Sequence, residues 1–195
     1  SYFLYALAPP GPFAAVACVA PYDMNLSWPQ GDYNLAGWVA RAPGEGPSGT
    51  TQNWLKAEVG AIDSQMMTSE PTNGVRIARR DTAIPHFGFG DVEITATPTR
   101  NYAVAICRLS GDQLLGGAWA KDKTTGESIG TFDGGQPGNV GMVALGGPIQ
   151  VGLVAAVGSQ TSQIRPAFLR AFVSRRAVLT LGDCTQIVDD TLCPD

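Results

Sequence analysis

Between Trp54 and Asp63 the chain alternates with a period of two: Leu55, Ala57, Val59 and Ala61 fall on one side, and Trp54, Lys56 and Glu58 on the other. Successive side chains of a β-strand point to opposite faces of its sheet, so this spacing predicts a strand with its aliphatic face turned to a core. The other face, carrying an indole, an ammonium and a carboxylate, does not suit a second core layer. It reads as a wet surface that a ligand can reach.

Similar short runs fill the rest of the chain. Residues 35–41, 75–80, 91–97, 102–109, 113–120, 127–132, 148–157, 167–173 and 177–181 are strand candidates, and Asn73-Gly74 predicts a hairpin turn between residues 65–68 and 75–80. No helical period is sustained; only residues 140–145 and 185–191 leave room for a helix. The 24 glycines and 14 prolines suit many strands joined by turns. No internal repeat appears, which removes propellers and solenoids. These features predict an all-β chain, a two-sheet antiparallel sandwich or jelly roll. At 195 residues it fits one domain, divided as an apolar N-terminal arm with a first strand (1–32), a β-sandwich core (33–176), and a C-terminal strand with a cysteine tail (177–195).

A formal charge of -4 argues against nucleic acid, because phosphate binding needs a basic stripe. The N-terminal segment is strongly apolar, but Pro9, Pro10, Gly11 and Pro12 interrupt it, so it does not span a membrane. It has no basic flank and is not read as a retained signal peptide, while a start at Ser1 rather than Met reads as a processed or trimmed N-terminus. Two readings of this arm stand: packed on its own domain, or inserted into a protein partner.

The cysteines are at 18, 107, 184 and 193. Cys184 and Cys193 bracket a short tail segment and can close a small disulfide loop; Cys18 and Cys107 then pair with each other or stay as buried thiols. With no CxxC and a single histidine, a Cys/His zinc site is not expected. Oxidised tail cysteines would place the protein outside the cytoplasm, in an extracellular or periplasmic setting.

The succession of Ala36-Gly37-Trp38-Val39-Ala40-Arg41, Asn53-Trp54-Leu55-Lys56-Ala57-Glu58-Val59, the 73–80 arm, Ala105-Ile106-Cys107-Arg108, Gly116 with Ala118-Trp119, Ile129-Gly130-Thr131 and Ile149-Gln150-Val151-Gly152-Leu153-Val154-Ala155-Ala156 resembles the concanavalin A-like sandwich domains of the enolase-regulator-like family, related in fold to laminin G-like lectin modules. The likeness covers roughly residues 33 to 175; the N-terminal arm and cysteine tail fall outside it, and the Gly/Pro-rich stretch at 42–52 departs from it. The resemblance implies a β-sandwich with a concave sheet, often an extracellular or glycan-associated module. It implies no catalytic set.

If the candidate strands are neighbours, Trp54, Lys56 and Glu58 join Arg76 and Arg80 of one strand and Asp91 and Glu93 of another. Sugars suit such a cluster, because their C–H faces stack on an indole while hydroxyls bond to carboxylates and guanidinium groups. The plainer alternative is a set of cross-strand ion pairs on a solvated face. Glu58 with Glu93 or Asp91 has the carboxylate composition of a glycosidase, but the E-x-D-x-x-E strand of sandwich-fold glycanases and the arginine, glutamine–histidine and tyrosine motifs of sandwich-fold alginate lyases are missing. His86 lies in a Pro-His-Phe-Gly segment with no G-x-S-x-G elsewhere, and reads as structural. Calcium is the one cofactor with candidate segments, residues 121–127 and 132–135; neither matches an EF-hand, and turn chemistry explains both. Three functions follow in order: a non-catalytic binding module for carbohydrate or a similar polar ligand; an assembly subunit using the apolar arm and the tail; and a polysaccharide hydrolase or lyase.

Overall fold

The structure is a computed structural model that describes residues 2–8, 10–20, 34–43, 54–62, 72–80, 88–92, 100–110, 113–122, 128–132, 142–144, 148–157, 167–174, 180–191 and 193. Its strands are β1 (Tyr2–Leu7), β2 (Phe13–Ala20), β3 (Asn34–Arg41), β4 (Trp54–Ile62), β5 (Thr72–Arg80), β6 (Gly88–Val92), β7 (Arg100–Arg108), β8 (Gln113–Asp122), β9 (Ser128–Phe132), β10 (Met142–Ala144), β11 (Gln150–Val157) and β12 (Ala167–Ser174), followed by one helix, α1 (Leu181–Asp189). Among the described residues the chain is all-β apart from that helix.

Two antiparallel sheets form. The first runs β1-β11-β3-β4-β5-β6; the second runs β10-β8-β7-β2-β12, with β9 also paired to β8. Because β9 meets residues 117–121 of β8 and β10 meets residues 113–115, the two short strands follow one another along a single edge. Late strands are inserted among early ones: β11 lies between β1 and β3, and β12 closes the second sheet beside β2. The first and the last strands of the chain are therefore both stitched into the ladders.

The facing sides of the sheets share one core. Leu55 and Ala57 of β4 and Ala36, Trp38 and Ala40 of β3 pack with Phe13, Ala15, Ala17 and Val19 of β2 and Tyr102, Val104 and Ile106 of β7. The aliphatic row read from residue 55 onward is thus turned inward at Leu55 and Ala57, both fully buried. Beneath the second sheet, on its far side, lies a separate apolar layer. Ala14 and Val16 of β2 and Ala103, Ala105 and Cys107 of β7 pack against Cys184, Ile187 and Val188 of α1.

Several expectations need correction. The apolar N-terminal segment is not an arm over residues 13–20: β2 is buried on both faces because a core covers one side and α1 the other. Pro10 and Gly11, the latter with φ 79, stand between β1 of the first sheet and β2 of the second, where the left-handed backbone favours glycine. Asn73-Gly74 is not a turn but part of β5, because the β4 ladder continues to Ile62 and pairs Gly60 with Gly74 and Ala61 with Asn73. Long pairing overrides the local turn preference. Of the strand expected at 91–97, Asp91 and Val92 lie in β6 and residues 93–97 lie outside the described residues, whereas Leu181, expected at a strand end, opens the helix. The helical option at 140–145 is occupied by β10, whereas that at 185–191 overlaps α1.

The start of the helix is fixed by a cap. Thr180 is the N-cap: its Oγ1 accepts from the Asp183 N–H at 3.2 Å, and the Asp183 carboxylate accepts from the Thr180 N–H at 2.8 Å. These reciprocal bonds satisfy backbone donors that a helix start leaves over. At the other end the Thr191 hydroxyl donates to the Ile187 carbonyl at 2.7 Å.

The disulfides bolt this helix down. Cys18 pairs with Cys193 and Cys107 with Cys184, with Cα–Cα distances of 5.4 and 6.2 Å. The expected small loop from Cys184 to Cys193 does not form, and geometry gives the reason. In the β2/β7 ladder Cys107 sits opposite Ala14 and Cys18 opposite Ala103. The two strand cysteines are therefore four residues apart along the sheet, about 13 Å. Cys184 and Cys193 are held at corresponding points by the helix between them, beyond the reach of one disulfide. Two disulfides fit an oxidising setting rather than a reducing one.

Candidate surface on the outer face of the first sheet

The register defines the face opposite the core. Reading across β1, β11, β3, β4 and β5, one row is Leu7, Gln150, Arg41, Trp54 and Arg80. The next is Tyr5, Gly152, Val39, Lys56 and Ala78, and the third is Phe3, Val154, Gly37, Glu58 and Arg76, with Asp91 of β6 opposite Arg76. Trp54, Lys56 and Glu58 do share this face. Arg80 and Arg76 stand at the register positions opposite Trp54 and Glu58. Glu93 and His86 lie outside the described residues, as do residues 123–127 and 133–135 of the two calcium candidates.

Facing away from the core does not make the whole row wet. Glu58 is only 2% exposed, and Val39 and Val154 beside it are also buried. The accessible part is the end nearer Arg41, where Trp54, Lys56 and Gln150 are half-buried and Tyr5 is 51% exposed. Here two rings each carry a cation. The Lys56 ammonium lies 5.3 Å from the centroid of Trp54, and the Arg41 guanidinium lies 5.4 Å from that of Tyr5. Both distances fall within the range where a ring's quadrupole attracts a cation. Arg41, itself 8% exposed, also donates from Nε to Gln150 Oε1 at 3.0 Å.

Two glycines permit this layout. At Gly152 an added Cβ would run into the Leu4 carbonyl and the Tyr5 backbone, so only glycine lets β1 lie this close to β11. At Gly37 it would run into the Ala57 carbonyl of β4. Both collisions are with backbone, which cannot rotate away.

Tyr5, Arg41 and Gln150 were not among the site residues that the sequence suggested. They come from three strands far apart in the chain, and only the register joins them. Arg41 was legible as the end of a strand; its place beside Tyr5 was not.

The arrangement can do several things chemically. It offers two aromatic rings, an ammonium, a guanidinium and a side-chain amide within one patch, which together stack on apolar faces and bond to hydroxyl or anionic oxygens. Among the described residues no group of three or more His, Cys, Asp or Glu side chains is placed to hold a metal ion. No described helix is long and apolar enough to cross a membrane. No protein-family description and no curated protein matches the chain.

Proposed function

We propose that the chain is a non-catalytic binding module, a sandwich of the concanavalin A-like jelly-roll kind, that holds a carbohydrate or a similar polar ligand on a concave outer face of its first sheet. One observation carries the reading. Of the two faces directed away from the core, that of the second sheet lies under α1, whereas that of the first presents Tyr5, Arg41, Trp54, Lys56 and Gln150 in one patch. A sugar would stack on the Trp54 indole or on the Tyr5 ring and exchange hydrogen bonds with Lys56 and Gln150. Glu58 contributes to the face as a buried carboxyl group, and Arg76, Arg80 and Glu93 extend the proposed ligand-binding set.

Burial of Glu58 favours binding over cleavage, because a general acid or nucleophile must reach the glycosidic bond. The disulfides favour an extracellular or periplasmic site of action. A glycan array followed by calorimetric titration tests the proposal. The expected result is binding that falls at least about tenfold in Trp54→Ala, the loss of one stacked ring. No binding to any glycan, or unchanged binding in that variant, rejects it.

A second reading, assembly with other protein chains, is favoured by a different observation. Leu4 and Leu7 of β1 are 76% and 68% exposed, which is unusual for leucines inside a sheet.

A further inference from the structure

The two disulfides that hold α1 are not placed alike. Cys107 and Cys184, the partners of one, are both fully buried and belong to the apolar layer between β7 and the helix. In the other, Cys18 of β2 is fully buried, but Cys193 beyond the end of the helix is partly exposed. Cys193 is thus the one cysteine of the four that meets solvent.

Exposure decides where a thiol can react. Thiol–disulfide exchange begins with a thiolate attacking one sulfur of the bond, so its rate depends on access to that sulfur. A reagent can approach the Cys18–Cys193 link from the Cys193 side with the fold intact. For Cys107–Cys184 either approach requires α1 to leave the sheet first, because both residues are covered.

The links also hold different parts of the helix. Cys184 lies in the first turn, where the Thr180 cap and a bond from the Cys184 N–H to the Thr180 carbonyl at 3.3 Å fix the start. At the other end the Asp190 N–H donates to the Gln186 carbonyl at 2.9 Å and the Thr191 N–H to the Val188 carbonyl at 3.0 Å. The chain is then tied back to the second sheet through Cys193.

We propose that Cys18–Cys193 is a reversible thiol-exchange latch, entered at Cys193 by a dithiol, and that Cys107–Cys184 is the fixed anchor of α1. The inference is independent of the ligand on the first sheet. In the first step a thiolate of the dithiol bonds to Cys193 Sγ. The bond to Cys18 Sγ breaks, and its electron pair stays on Cys18 Sγ, which takes up a proton from solvent. In the second step the other thiol of the reagent attacks the reagent sulfur bound to Cys193. Cys193 leaves as a thiolate and is protonated, and the reagent leaves as a cyclic disulfide. Two electrons have passed from the dithiol to the link. A monothiol serves less well, because the Cys18 thiol beside the mixed disulfide attacks it and closes the latch again. Opening frees the chain around Thr191 from β2, while Cys184 still holds the first turn of α1 against β7.

Timed reduction of the folded full chain tests this. Dithiothreitol is added without denaturant, samples are quenched in acid and alkylated in guanidinium, and peptide mapping follows each link. Cys18–Cys193 should open at least about tenfold faster than Cys107–Cys184, whose opening waits for local unfolding of α1. Urea below the unfolding transition should speed the second reaction and leave the first nearly unchanged. In protein reduced at the first link alone, the Asp190 and Thr191 amides should exchange with solvent at least about tenfold faster than before, and the Cys184 amide should not. Equal rates, or earlier opening of Cys107–Cys184, overturn the division of roles. So does a Cys18–Cys193 link that opens only when urea unfolds the protein. Loosening at Cys184 as large as that at Thr191 overturns the anchor.

Discussion

Replacing Cys107 and Cys184 together by alanine removes one of the two bolts on α1 and leaves Cys18–Cys193 in place. The cost can be worked from the chain. A cross-link between residues 77 apart restricts the unfolded ensemble. Loop-closure entropy puts that restriction at about 4 kcal/mol, most of which the double variant should lose. With a urea dependence of about 2 kcal/mol per molar, the unfolding midpoint of the oxidised protein should fall by about 2 M. There is also a local effect. A nine-residue helix is marginal in water without tertiary support, and α1 is held by Cys184, Ile187 and Val188 against β2 and β7. Its amides should therefore exchange with solvent faster than those of β2 and β7 in the variant, though not in the parent. Paired urea titrations and hydrogen exchange would read both effects. A midpoint shift below about 0.5 M, equivalent to about 1 kcal/mol, or helix amides still protected to the level of β7, would refute the clamp. So would peptide mapping that recovered a Cys184–Cys193 link.

Gly37→Ala should destabilise the fold by about 2 kcal/mol or more in urea unfolding, because its Cβ would meet the Ala57 backbone. Thr180→Ala removes the helix cap and should cost about 1 kcal/mol in the same assay, with the loss concentrated in α1 by hydrogen exchange.

Several parts of this structure were legible from residue order alone. The period-two spacing around Leu55 and Ala57 identified a strand and its core side, and the abundance of turn residues identified an all-β chain. What alternation cannot tell is how covered an outward side chain will be. Lys56 and Glu58 alternate alike, yet one is half-buried and the other buried, because that depends on neighbours brought in by register. The run Phe-Ala-Ala-Val-Ala-Cys-Val-Ala in β2 did carry a signal of burial on both faces. Its position next to Pro9, Pro10 and Pro12 made it read as an arm. Disulfide partners were beyond reach, since four cysteines admit three pairings and the choice depends on where α1 lies. Asn73-Gly74 shows the converse failure, a strong local turn preference defeated by a ladder that runs past it.

The outer face of the first sheet is the surface on which the proposed function depends. Backbone amide shifts recorded by NMR during titration with the best-binding glycan test it most directly. The expected result is saturable movement at Arg41, Trp54, Lys56 and Gln150, with residues 181–189 of α1 unmoved. Shifts gathered on α1, or none on β3, β4 and β11, would contradict the assignment.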